Sequence, residues 1–169
     1  MDISVRAECI ELTGNGSAAV VVAEGLRSWR VPAAGDMLLS GPRLTAGAPD
    51  LGRLRVVPDR LGVLNGAAET HAVVLSRNRR EEEMELTQRW ILDDAGAPVG
   101  DFEFIVPPAW GRLEELGVVL EFPGTGPAFD VFPEGASVET GAGIMKALLC
   151  GFPAGAGIYR MKLTFIAKK

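Results

Sequence analysis

Histidine is the scarcest reactive residue here: His71 is the only one in a chain of 169 residues. Within one chain, that excludes zinc sites with two or three His ligands. It equally excludes the two-His-one-carboxylate iron site and the several-His metal cup of many jelly-roll enzymes. A Ser-His-Asp triad would have to use His71, and no G-x-S-x-G elbow occurs. Cysteine is nearly as rare. Cys9 and Cys150 are far apart in sequence and are expected as buried free thiols, not as a disulfide. No apolar run approaches the ~20 residues that a membrane-spanning helix needs. The first six residues have neither a basic leader region nor an apolar one, so the expected location is the cytoplasm, with no membrane partner. Positive charge is also short. Lys and Arg number 17 against 22 Asp and Glu, a net charge of -5. Nucleic acid is therefore a poor partner, because it is held by Lys and Arg on phosphates. Arg77, Arg79 and Arg80 make one local basic cluster, and Glu81, Glu82 and Glu83 follow at once and largely cancel it. No repeat period is present, which argues against propellers and solenoids.

What the chain does contain is short alternating runs. In the last of them Tyr159, Met161, Leu163 and Phe165 share one parity, with Arg160, Lys162 and Thr164 on the other. That is the period of a half-buried β-strand. Ile10 and Leu12 lead into Asn15-Gly16, a tight-turn signal, and Val20 to Val22 lead out, so 9–24 reads as a hairpin. Met84, Leu86, Trp90 and Leu92 alternate with Glu83, Glu85, Thr87 and Arg89. After a turn at 94–98, Phe102, Phe104 and Val106 alternate with Asp101 and Glu103. These two runs predict a second hairpin. A helix over 79–92 is the rival reading on propensity, but its apolar residues lack the i, i+3, i+4, i+7 spacing.

The 21 glycines and 11 prolines are scattered between apolar runs and read as turn punctuation. Pro58 is expected to end a strand begun at Leu54, residues 41–52 to form a surface loop, 112–116 a helical turn, 144–149 a short helix or strand, and 151–157 a turn. The sum is an all-β chain: a single antiparallel β-sandwich, jelly-roll or barrel domain over 1–169, with about nine to ten short strands and at most one or two short helices.

Motifs with chemical meaning are few. Gly14-Asn15-Gly16-Ser17-Ala18-Ala19 has the letters of a dinucleotide fingerprint, but that motif needs a helix beginning in the turn, and Val20 to Val22 favour strand. Asp93, Asp94 and Asp130 are not spaced as a Ca²⁺ loop. Glu83, Glu85, Asp101 and Glu103 fall on the outward parity of one hairpin, where like charges repel unless basic residues intervene, and Arg79, Arg80 and Arg89 are available for that. Of the three tryptophans, Trp29 and Trp90 lie inside strand patterns and read as core. Trp110 follows two prolines and precedes a glycine, and is expected as an exposed or interface-anchoring ring.

No catalytic residue, metal or cofactor is assigned on this pattern. The expected function is non-enzymatic: a structural or assembly protein, self-associating or joined to another structural protein, such as a phage virion or tail-like component. Its expected contact residues are Trp110, Arg79, Arg80, Glu83, Glu85 and Lys162. The alternative is a glycan- or small-ligand-binding β module, which needs at least two exposed tryptophans as a platform. A carboxylate-dependent hydrolase is the second alternative, needing an acidic pair in a cleft.

Overall fold

The computed structural model describes residues 1–48, 51–79, 82–150 and 155–169. The chain opens with β1 (Asp2–Val5), β2 (Cys9–Gly14), β3 (Ser17–Val22), β4 (Gly25–Val31) and β5 (Gly35–Asp36), followed by β6 (Ser40–Gly47). Two hairpins come next, β7 (Leu54–Leu64) with β8 (Ala67–Ser76), and β9 (Met84–Leu92) with β10 (Pro98–Val106). A 3-10 turn at Pro108–Trp110 leads to β11 (Glu115–Glu121), β12 (Phe129–Glu134), β13 (Ala136–Thr140), β14 (Ile144–Leu149) and β15 (Gly157–Ala167). No α-helix occurs among the described residues.

The all-β reading holds, with more strands than expected and no closed barrel. Among the described residues, fifteen strands form three antiparallel sheets. Their orders are β1-β2-β3-β4-β5, β12-β15-β10-β9-β8-β7 and β13-β14-β11-β6. The 79–92 segment contains strand β9, as its period says, and 144–149 is also strand. The final strand is internal, between β12 and β10. The hairpin turn at Asn15-Gly16 has both residues at positive φ (47° and 76°), and the same geometry recurs at Asn65-Gly66 (49° and 72°), joining β7 to β8.

Two expectations are corrected by where prolines sit. Residues 41–52 are not simply a loop, because β6 runs through Pro42. Pro58 does not end β7, which continues past a register shift between Pro58 and Arg60. Pro133 likewise lies inside β12. All three strands are edge strands, where a missing N–H faces away from the ladder and costs little. Gly41, on β6, is fixed by close approach: a Cβ there would lie 1.5 Å from the Leu26 carbonyl oxygen, so β4 and β6 touch backbone to backbone. The helical turn expected over 112–116 is also corrected. The turn comes earlier, at Pro108–Trp110, and Leu116 is already strand. Of the turn expected at 151–157, residues 151–154 lie outside the described residues.

The core forms on the inner face of the six-stranded sheet. Trp29 of β4 packs edge-on against Phe129 of β12 at 5.9 Å and Phe165 of β15 at 6.1 Å. Phe122, just past β11, meets Phe129 at 6.1 Å, which brings in the four-stranded sheet. Trp90 stands against Phe102 across the β9–β10 pair at 5.4 Å. Such edge-to-face pairs add to the burial of large rings. The Trp29 ring N–H donates to Ser17 Oγ at 3.1 Å, and that hydroxyl donates to the Gly96 carbonyl, tying the first hairpin tip to the β9–β10 turn. Both cysteines are free, as expected, but neither is buried: Cys9 is half-buried and Cys150 exposed.

Candidate contact surface

Burying one parity of each strand leaves the other on the outer face of the six-stranded sheet. Register then decides which charges meet. One row runs Glu134, Lys162, Asp101, Arg89, Glu69 across β12, β15, β10, β9 and β8, each residue directly opposite the next. The signs alternate along the whole row. The adjacent row contains Arg160 opposite Glu103, joined through Nε and Oε2 at 2.8 Å. Glu69 is clamped from two strands, by Arg60 and Arg89, each at 3.5 Å, and its side chain is only 12% exposed. Opposite charges directly across a sheet stabilise it by roughly 0.2–1 kcal/mol per pair. The two rows line an open groove of about 720 Å³. Apolar side chains flank it on the same face. Phe132 (57% exposed) and Ile166 (46%) are diagonal neighbours on β12 and β15 at one end, and Ile158 (57%) lies at the other.

His71 belongs to the same face, in the middle of β8. Its Nδ1 lies 2.9 Å from Asp59 and its Nε2 3.3 Å from Glu85. Asp59 is the residue skipped by the β7–β8 register, and such an extra residue re-aims its side chain, here onto the ring. The imidazole thus bridges three strands.

The corner beyond β7 has a different character. Arg53, Arg55, Arg77 and Arg79 line a groove of about 620 Å³, with Leu54, Leu75, Ser76 and Glu82. The Arg77 amide donates to the Arg53 carbonyl at 3.0 Å, so these two arginines are cross-strand neighbours of like charge. Among the described residues that line the groove Glu82 is the one carboxylate, and its Oε2 accepts the Ala109 amide at 3.0 Å.

The expected contact residues therefore divide between two places. Lys162 lies in the charged row, and Glu85 lies two rows away on the same face, on the histidine bridge. Arg79 lines the arginine corner, with its amide donating to Ser76 Oγ at 3.1 Å. Glu83 stands exposed just before β9, and Arg80 lies outside the described residues. Trp110 is a correction. It is 1% exposed, because the 3-10 turn after Pro107 folds the ring inward, where its N–H donates to the Glu82 carbonyl at 3.1 Å. Trp29 and Trp90 are equally buried, so the exposed tryptophan platform needed for sugar stacking is overturned. Glu69, Glu134 and Arg160, absent from the expected set, share their strands' outward parity. That parity is visible at Glu69 between Ala68 and Thr70.

No protein-family model matches the chain, and no curated protein matches it in sequence. Among solved structures it is similar to 4-alpha-glucanotransferase from Thermococcus litoralis, with a TM-score of 0.56 and 8% sequence identity. The match covers 98% of this chain and 39% of that one, so the chain spans about two fifths of the enzyme's length. At that identity the likeness is one of fold alone.

Proposed function

We propose that this is a non-enzymatic assembly protein that works through its sheet surfaces, as a homo-oligomer or as part of a larger particle such as a virion or tail-like device. The observation that carries this reading is the outer face of the six-stranded sheet. It combines exposed Phe132, Ile158 and Ile166 with rows of charges already matched within the chain. Apolar anchors set among organised polar groups are the makings of an interface. The row of Glu134, Lys162, Asp101, Arg89 and Glu69 reads the same in either direction. Turned on a two-fold axis and displaced by one strand, about 4.8 Å, it is complementary to its own copy. A self-matching patch is what a two-fold contact requires. The test is molar mass in solution by light scattering across concentration. The expected result is a discrete oligomer that Phe132→Asp dissociates. A mass of 17.9 kDa at every concentration overturns the homo-oligomer.

A glycan-binding module that holds sugar through polar groups, with no tryptophan platform, is the second reading. The groove beside Asp101, Glu103 and Arg160 favours it, because carboxylates and guanidinium groups hydrogen-bond sugar hydroxyls. The fold neighbour's name, a 4-alpha-glucanotransferase, makes a 4-α-glucan the ligand to try first. Titration calorimetry with maltoheptaose tests it: heat that Asp101→Ala abolishes supports the module, and no heat at millimolar sugar removes it. A carboxylate-dependent hydrolase draws less support, since Glu69 and Glu103 are each held by arginine and Glu85 faces His71.

A further inference from the structure

We infer that the free edge of β7, with the arginine groove beside it, is a docking edge for an extended acidic segment of a partner protein. This rests on the contact-protein reading above and names the chemistry of one partner. β7 ends the six-stranded sheet and hydrogen-bonds on one side only, to β8. Antiparallel partners alternate between hydrogen-bonded and non-bonded pairs. The Arg77 amide on the Arg53 carbonyl fixes that phase, so the main-chain groups of Leu54 and Val56 face away from β8, towards the open edge. The strand is regular from Leu54 to Val57, before the irregularity at Pro58. Val56 remains 40% exposed. A free regular edge is what strand addition uses.

The side chains specify what would add there. Arg53 and Arg55 are two residues apart and so lie about 6.8 Å apart along the strand. Alternate side chains of an added strand have the same spacing. Residues paired with Arg53 and Arg55 would point to the outer face, where carboxylates meet guanidinium groups with paired donors. Residues paired with Leu54 and Val56 would point inward, where apolar side chains fit. The sequence chemistry is therefore acidic alternating with apolar. Arg53 and Arg55 make no ion pair with any described residue. Elsewhere on this face directly opposite charges differ in sign, whereas here Arg53 stands beside Arg77.

The probe is a capped, fluorescein-labelled octapeptide of alternating glutamate and valine, followed by anisotropy with the full-length protein. Saturable binding is expected. NMR amide exchange is expected to slow at Leu54 and Val56. The Arg53→Glu/Arg55→Glu double variant should weaken binding about tenfold or more, and replacing glutamate by glutamine in the peptide should do the same. Unchanged binding by the double variant overturns the inference. Binding without protection at Leu54 and Val56 also overturns it, as does sodium tripolyphosphate displacing the peptide from an unprotected edge, since either marks a simple anion site. Phe132→Asp is expected to leave peptide binding intact. Failure at β7 alongside a Phe132-dependent oligomer therefore sinks only the docking edge. A monomer that still binds the peptide sinks only the homo-oligomer.

Discussion

Two regions of one sheet face follow opposite charge rules. Along the row through Asp101, every charge on an internal strand finds the opposite sign on both neighbours. At the β7 corner, Arg53 stands beside Arg77 with Arg55 and Arg79 in the same groove. The difference follows strand position. An internal strand is flanked on both sides, so a like charge there meets two repulsions in a half-shielded row. An edge strand has one neighbour, and its arginines can lean into water, where a dielectric near 80 weakens the repulsion. Like charges are tolerated at the edge, which leaves that edge able to select a partner.

The largest effect should come from beneath the corner. Trp110 is buried and holds the Glu82 carbonyl, while the neighbouring Ala109 amide holds the Glu82 carboxylate. Trp110→Ala is expected to cost about 3–5 kcal/mol in urea denaturation, the range for emptying a large aromatic site. Trp110→Phe should cost roughly 1 kcal/mol, for the lost hydrogen bond. A loss under about 1 kcal/mol for the alanine variant would mean that the arginine groove is not built on this ring.

Two charge reversals then set the regions directly against each other. Asp101→Lys places three cations in a row with Arg89 and Lys162. It turns two favourable pairs into two repulsions and is expected to destabilise by about 1–3 kcal/mol. Arg53→Glu does the reverse, placing an acid beside Arg77, and should stabilise by roughly 0.2–1 kcal/mol while weakening the acidic peptide. Both effects should shrink in about 1 M salt, where the Debye length is near 3 Å. Destabilisation by both reversals would show that strand position does not govern the charge rule.

How far these regions could be read in the chain depended on whether the signal was local. The β9–β10 hairpin was legible because one parity is apolar over both runs, and its register brings Arg89 opposite Asp101. The intervening base was thus foreseeable. The row beyond it was not, because Lys162 and Glu134 join through pairings that no local pattern encodes. Proline misled for a related reason. Pro42, Pro58 and Pro133 break strands only where both sides are hydrogen-bonded, and whether a strand lies at an edge is a property of the whole sheet. The second Asn-Gly turn, at Asn65, carries the same local signal as the first but went unread, because Pro58 was expected to end the strand before it. Trp110 was misplaced because its two prolines suggested departure from the sheet, whereas the 3-10 turn they start returns the ring to the core.

The smallest expected effect is at an isolated pair that obeys the same opposite-sign rule. Arg30 and Asp36 face each other across β4 and β5 at 2.9 Å, with side chains 67% and 55% exposed. The hydrogen bond from Arg30, and then its charge, hold the Asp36 carboxyl below its usual 3.8. A carboxyl whose folded value is depressed stabilises the fold above its unfolded value, and that contribution is lost as pH falls through the folded one. The melting temperature of wild type should therefore slightly exceed that of Asp36→Asn at neutral pH, and the gap should close as pH falls below about 3.8. Water screens so open a pair. Glu69→Gln, at 12% exposure between two arginines, should cost visibly more. Equal losses at the two sites would show that pairing alone sets the strength of the charged row, and that its partial burial in the sheet face adds nothing.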